Sequence, residues 1–247
     1  MVTARNGNNT YGLTFNLFGY TPINTNSDSI LYGDRPFSSA LSIGYFSLST
    51  DSVNNQRINS TLSLGLVGPL ALGERIQTTI HRWLNNKLPR GWQHQVANDI
   101  IINYAINYEK KILTYKKMFL LNGVGQAKFG TLDIKISSGI NFMAGYFNNP
   151  YKDRSSERKK KFELYLYGQG RVHAIGYNAL LQGGLLNRNS PYTITNRNIT
   201  RFVIQADAGI AMNFKKILLT YSRSYISKEF SPGKTHQWGG ISIGAFF

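Results

Sequence analysis

The sequence alternates between apolar and polar residues over stretches longer than an ordinary β-strand. Within 129–145, one parity carries Leu132, Ile134, Ile136, Ile140, Phe142 and Ala144, and the other carries Thr131, Asp133, Lys135, Ser137, Gly139 and Asn141. The segments 57–67 and 240–247 repeat this pattern. A period of two indicates a strand. Strands of about 10 residues suit a tilted bilayer crossing, whereas globular strands average about 5–6. The pattern therefore predicts a membrane-facing sheet.

Ten such segments can be placed along the chain. We predict strands at 10–20, 38–50, 57–68, 96–109, 112–126, 128–145, 162–177, 199–213, 216–226 and 236–246. Most connections alternate between short turns and long loops, which is typical of outer-membrane barrels. A very short turn near 127 and a long connection at 146–161 break this alternation, and they indicate a misplaced strand.

The composition supports the same fold class. Aromatic residues make up 13% of the chain and charged residues only 16%, although the mean hydropathy is −0.26. No apolar run approaches the roughly 20 residues that a membrane helix needs. The absence of cysteine excludes disulfides, thiolate catalysis and cysteine-ligated metals. We therefore predict an all-β protein, a transmembrane antiparallel β-barrel forming one domain over 1–247. Phe247, at the end of an alternating strand, resembles the terminal signature of such barrels.

The charge of the chain favours polyanionic partners. Lys and Arg number 28 against 12 Asp and Glu, giving a net charge of +16. Nucleic acid and the phosphorylated headgroup of lipid A are the two obvious candidates. The cations are spread over loops and strand ends without an aromatic-basic module, so nucleic acid is not expected. The basic cluster in 154–161 is either a solvated loop or a contact with lipid phosphates.

One segment, 72–86, has helical rather than strand periodicity. Leu72, Ile76, Ile80 and Trp83/Leu84 form an apolar stripe, and Gln77 and His81 lie one turn apart on a neighbouring face. This spacing predicts a helix that packs by its stripe and presents Gln77 and His81 at the mouth of the barrel. Imidazole is the side chain best suited to deprotonate water near neutral pH. Lone histidines are nevertheless often structural, and spacing alone leaves both roles open for His81.

These residues belong to a longer set of motifs. The central part is Leu64-Gly65-Leu66-Val67-Gly68-Pro69, Leu72-Gly73-Glu74, Gln77, His81, Gly91-Trp92 and Gln95. Upstream stand Tyr20-Thr21-Pro22 and Asp34-Arg35-Pro36-Phe37, and downstream stand Leu181-Gln182-Gly183 and Glu229-Phe230. In order and identity, over nearly the whole chain, the set resembles the LpxR-like lipid A 3′-O-deacylases.

The resemblance implies a twelve-stranded, monomeric barrel in the Gram-negative outer membrane. Its active site, near the outer face, would remove the 3′-linked acyloxyacyl group from lipid A in the outer leaflet, as a carboxylic ester hydrolase. His81 matches the family's general base, and Gln77 matches a residue that orients a reacting group or donates to the oxyanion. Arg35 would bind a substrate phosphate or pin its loop. The resemblance also implies a divalent cation, Ca²⁺.

The chain departs from the family at its start. The family opens with an Asn-Asp strand and a strand with a Tyr-Thr-Asn-Gly-like motif, whereas Tyr11-Gly12-Leu13 aligns with the third strand. Alternatively, Thr10-Tyr11-Gly12 is a degenerate copy of the second-strand motif. We therefore expect an N-terminally incomplete chain, without the cation ligands. Residues 1–6 also lack the apolar core of a signal peptide. The competing interpretation is a catalytically inactive barrel homologue acting as a pore, adhesin or structural protein.

Overall fold

Ten antiparallel strands form a single sheet in the computed structural model, which describes residues 1–4, 7–152, 162–215 and 217–245. The strands are β1 (Asn8–Tyr20), β2 (Ser38–Asp51), β3 (Gln56–Val67), β4 (Asp99–Tyr115), β5 (Phe119–Gly130), β6 (Asp133–Tyr146), β7 (Phe162–Asn178), β8 (Phe202–Phe214), β9 (Ile217–Ile226) and β10 (His236–Ala245). Each strand pairs with its neighbours in chain order. In the described part of the chain, β1 and β10 are the sheet's two edges.

Within the described ranges, two helices accompany the sheet, α1 (Gly73–Trp83) and α2 (Ala179–Gln182). The same ranges contain three short 3₁₀ turns, at Pro69–Ala71, Trp92–His94 and Asn196–Asn198. Among the described helices, none is both long enough and apolar enough to cross a bilayer.

The predicted alternation of faces is confirmed. Ile136 and Ile140 are 67% and 51% exposed on the outer face of β6, whereas Ser137 between them is buried inside. Large apolar side chains on the other strands are exposed in the same way, among them Leu13, Phe15, Ile43, Leu62, Leu64, Ile102, Phe129, Phe202, Ile204, Ile241 and Ile243. The inner face of β1–β5 is lined mainly by amides and hydroxyls around a cavity of about 410 Å³. Apolar surface thus faces outward and polar surface faces inward, which is the reverse of a water-soluble sandwich.

The number of strands agrees with the prediction, but two turns were wrongly placed. The predicted turn at 110–111 is strand, and β4 continues to a turn at 116–118. Glu109 accepts a hydrogen bond from Asn141 across the inner face, and Lys111 donates one to Asn55, so these charges do not end the strand. The turn predicted near 127 lies at 131–132.

The prediction that one strand was misplaced is also wrong, because the irregular alternation of connections is present in the structure. The connections that follow β2, β4, β6 and β8, of which the structure describes 52–55, 116–118, 147–152 and 215, lie at one end of the sheet, and we call this end the short-turn rim. The connections 21–37, 68–98, 131–132, 179–201 and 227–235 lie at the other end, the long-loop rim. The short-turn rim therefore has one long connection, between β6 and β7, and the long-loop rim has one short connection, at 131–132. Each of the ten predicted strands corresponds to an observed strand. The basic cluster of 154–161 and Phe247 lie outside the described residues.

The long connections fold inward over the long-loop rim. One apolar cluster joins Ala40, Val67 and Ile101 of the sheet to Val96 and to the helix α2. A second cluster, formed by Leu181, Ile194, Ile199 and Phe230, joins the two long connections 179–201 and 227–235. Burial of these side chains fixes the loops against the sheet, because removing apolar surface from water is the main source of stability.

At the short-turn rim, the start of the 147–161 connection fills the mouth of the sheet. Tyr151 is fully buried and packs with Leu120 and Phe147. Its hydroxyl oxygen lies 2.9 Å from both Glu109 Oε1 and Asn122 Oδ1. Burial and the neighbouring Glu109 carboxylate raise the pKa of the Tyr151 hydroxyl, so it stays protonated and donates. Tyr151 therefore anchors this connection inside the lumen.

Replacing Tyr151 with phenylalanine should lower the free energy of unfolding by about 1–3 kcal/mol, because a buried acceptor loses its donor while the ring stays packed. Urea unfolding in detergent micelles, followed by tryptophan fluorescence, measures this change. Tyr32→Phe is the matched control, since the Tyr32 side chain is largely exposed on the opposite rim. Equal stability of the two variants would show that the hydroxyl does not anchor the connection.

Candidate functional site

The helix α1 begins in a tight contact with the sheet at the long-loop rim. Gly73 lies so close to Ser39 of β2 that an added Cβ would stand 2.4 Å from the Ser39 Cβ. Gly68, at the end of β3, has a φ of 95° and donates its N–H to the Ser39 carbonyl. Only glycine fits this combination of positive φ and close approach. The Gly-Leu-Val-Gly-Pro and Leu-Gly-Glu motifs thus dock the start of α1 against β2.

The apolar stripe of α1 faces outward, contrary to the prediction that the helix packs by it. Leu72, Ile76 and Ile80 are exposed, and Trp83 is 86% exposed. The half-buried positions are instead Gln77, Thr78 and His81. The helix lies at the rim of a sheet whose outer face is apolar and whose inner face is polar. An apolar side chain of α1 therefore gains little apolar contact by turning toward the inner face. The polar edge of α1 turns toward the rim loops.

His81 is oriented by the backbone just beyond the helix. Its Nδ1 atom lies 2.6 Å from the carbonyl oxygen of Lys87. The chain turns back here because Asn85 adopts a φ of 57° and Asn86 donates its N–H to the His81 carbonyl. A carbonyl can only accept, so Nδ1 carries the proton and Nε2 carries the lone pair. Within the described residues Nε2 has no partner, and it is therefore available as a base.

Gln77 is oriented in a complementary way by Trp92. The Trp92 indole, only 1% exposed, donates its Nε1–H to Gln77 Oε1 at 2.8 Å and packs against Phe37. Because an indole N–H only donates, the Gln77 oxygen must face it, and the amide NH₂ group is left free to donate. Gln77 thus presents a donor one helical turn from the free nitrogen of His81. In the sequence Trp92 stands out only as part of a motif, and its role in orienting Gln77 was not predicted.

Arg35 lies in a different environment from the helix pair. Its Nη1 donates to Glu229 Oε2 at 3.1 Å, with side chains 7% and 18% exposed. The guanidinium also stands 4.1 Å from the centre of the Tyr20 ring. These contacts tie the 21–37 and 227–235 connections to the end of β1. The structure therefore does not bring Arg35 into contact with Gln77 or His81, and its pairing with Glu229 was not predicted.

The remaining motif residues link the rim loops to one another. Asp34 accepts from the Ile23 N–H, and its carbonyl accepts from the Tyr192 hydroxyl. Burial raises the pKa of the Tyr192 hydroxyl, which remains a donor. Gln182 accepts from the Asn178 N–H. Most motif positions outside α1 therefore hold the loops that surround the helix.

The described residues do not supply an obvious cation site beside His81. No three of their His, Asp and Glu side chains gather into a group that could hold a metal ion. Glu74, the acid on α1, lies in its first turn and is exposed. The donor set in this part of the chain thus does not fit the Ca²⁺ that the resemblance implies.

Comparisons with known proteins agree on one family. A family model described as "Outer membrane protein LpxR" matches residues 1–247. The solved structure of LpxR from Salmonella typhimurium is similar in fold, with a TM-score of 0.79 and 20% sequence identity, over 98% of this chain and 87% of that chain. No curated protein sequence matches this chain.

Proposed function

Because the chain belongs to the LpxR family of outer membrane proteins, we propose that it is a lipid A deacylase that removes the 3′-linked acyloxyacyl chain, with His81 as the general base. The observation that carries this proposal is the orientation of the two side chains on α1. His81 presents a free ring nitrogen because its other nitrogen donates to the Lys87 carbonyl. Gln77 presents a free amide donor because its oxygen accepts from the Trp92 indole.

Ester hydrolysis needs both of these groups. A base must take a proton from water as the water oxygen attacks the ester carbonyl, and a donor must stabilise the negative charge that develops on the carbonyl oxygen. His81 Nε2 is the base, and the Gln77 NH₂ group is the donor. When the water has attacked, the proton held on Nε2 passes to the departing sugar oxygen, which leaves as the free 3′-hydroxyl.

The location of α1 supports a lipid substrate. Its exposed stripe of Leu72, Ile76, Ile80 and Trp83 lies beside His81 and Gln77 at the long-loop rim. In barrels of the outer membrane the long loops face outward, where lipid A forms the leaflet. Acyl chains can therefore contact the stripe while the ester reaches the polar edge of the helix. The Ca²⁺ implied by the resemblance enters no step here, since the described residues do not gather its ligands.

Mass spectrometry of lipid A tests the proposal. The purified protein, in detergent micelles, is incubated with lipid A that carries an acyloxyacyl group at the 3′ position, with Ca²⁺ added and with a chelator. We expect the product to lose that whole group and to gain a free 3′-hydroxyl. An unchanged lipid A mass under both conditions would favour the competing candidate, an inactive barrel homologue, which keeps the fold without the reaction.

A variant of Trp92 tests whether the orientation of Gln77 matters for the reaction. Replacing Trp92 with phenylalanine keeps an aromatic ring against Phe37 but removes the donor to Gln77 Oε1. One neutral hydrogen bond contributes about 0.5–1.5 kcal/mol, so we expect kcat to fall by about twofold to tenfold. KM for lipid A should stay constant, because Trp92 is buried and does not touch substrate. A rise in KM at constant kcat would contradict this role.

A further inference from the structure

The short-turn rim carries exposed lysines in its turns and on the adjoining part of β4. Lys116 and Lys117 form the turn between β4 and β5, Lys215 follows β8, and Lys110 lies on the outer face near the end of β4. We call these four residues the lysine rim. Within the described residues, none of the four has a carboxylate partner.

The acids near this rim are already engaged by other groups. Asp51 accepts from the N–H groups of Val53 and Asn54, and Glu109 accepts from Asn141 and Arg57. Glu163 accepts from Asn213. In the part of the chain that the structure describes, the lysine rim therefore forms an uncompensated positive surface.

Two of the ammonium groups are held on the outer side of the sheet. Lys116 Nζ lies 5.3 Å from the centre of the Tyr115 ring, and Lys215 Nζ lies 5.2 Å from the centre of the Phe214 ring. Both rings are more than half exposed on the outer face. The charges are thus beside outward aromatic side chains rather than in the lumen, which is the arrangement found at a membrane–water interface.

The backbone at these turns gives a second reason to look for a ligand. Lys116, Lys117 and Lys215 have φ values of 46°, 55° and 56°. Asn and Gly adopt this left-handed region more easily than lysine does, and Asn-Gly is the preferred pair for a two-residue hairpin turn. Local structure therefore does not account for lysine at these positions.

We propose that the lysine rim binds the headgroups of anionic glycerophospholipids in the membrane leaflet that faces the short turns. Juxtamembrane cations attract acidic lipids, and aromatic side chains at the same depth hold the protein at the headgroup level. The surface is separate from the site on α1, because it lies at the opposite rim.

Because Asn and Gly adopt positive φ easily, they can replace the lysines of the turns without straining the backbone. In K110N/K116N/K117G/K215N four charges are removed, and the three positions with positive φ, 116, 117 and 215, receive residues that suit it, so the fold is expected to persist. The matched control, R188Q/R197Q/K228Q/K234Q, removes four exposed cations from the long-loop rim. Heat-dependent migration in gels and circular dichroism verify that both variants are folded.

The measurement is the lipid selectivity of the full chain in phosphatidylcholine vesicles, read from spin-labelled phosphatidylglycerol against spin-labelled phosphatidylcholine. We expect the unaltered protein to prefer phosphatidylglycerol about fivefold at low salt, and the preference to fade in high salt. The lysine-rim variant should show almost none, and the control should keep it. The proposal is overturned if the lysine-rim variant keeps its preference, or if the control loses as much, since net charge or the other rim would then be responsible.

Discussion

Replacing His81 with alanine is expected to lower the rate of lipid A deacylation by about 10²- to 10⁴-fold, which is the usual contribution of a general base. The ring would be lost together with the free Nε2 that the Lys87 carbonyl makes available. KM should change little, since the imidazole acts on water rather than on the lipid. The rate is measured as the appearance of the deacylated product by mass spectrometry, with enzyme in micelles.

A second histidine at the same rim provides the control. His94 is also half-buried and one of its ring nitrogens likewise contacts a carbonyl, with Nε2 3.0 Å from the Asp28 oxygen, but it lies on the 3₁₀ turn Trp92–His94 and not on α1 beside Gln77. We expect His94→Ala to keep the full rate. If both alanine variants lost activity equally, the effect would come from the rim loops. If His81→Ala remained active, another group would be the base.

The strand pattern was predictable because a bilayer and a polar lumen impose opposite demands on alternate residues. Ile136 and Ile140 face outward while Lys135 and Ser137 face inward, so a period of two appears directly in the sequence. The turns were harder to predict. Charges at Glu109 and Lys111 resemble a turn locally, but partners on other strands keep them within β4. Contacts distant in sequence decide such cases.

The site was predictable only in part for a similar reason. The spacing of Gln77 and His81 places them on one face of a helix, and the structure agrees. The orientation of each side chain depends on Trp92 and the Lys87 carbonyl, which no periodicity reveals. The apolar stripe of α1 was interpreted as a packing face because helices of water-soluble proteins bury theirs. A helix beside lipid follows the opposite rule.

A large loss of stability is expected when the ion pair between Arg35 and Glu229 is broken. Replacing Glu229 with glutamine should lower the free energy of unfolding by about 3 kcal/mol, because it leaves a buried guanidinium without its counter-charge. Arg35 Nε is already buried without a partner among the described residues, so the Tyr20 ring is the main compensation left to the guanidinium there. Urea unfolding in micelles measures the loss.

A double replacement separates this structural role from substrate binding. In Arg35→Leu/Glu229→Leu no charge remains buried, so the stability loss should be smaller than the sum of the two single losses. If Arg35 only holds its loop, kcat and KM of the folded double variant should match those of the unaltered protein. If Arg35 instead binds a lipid A phosphate, KM should rise in Arg35→Leu and in the double variant while Glu229→Leu keeps its KM. The buried pair and the Tyr20 ring beneath the guanidinium favour the first outcome, because an arginine engaged on two sides has little surface left for a phosphate.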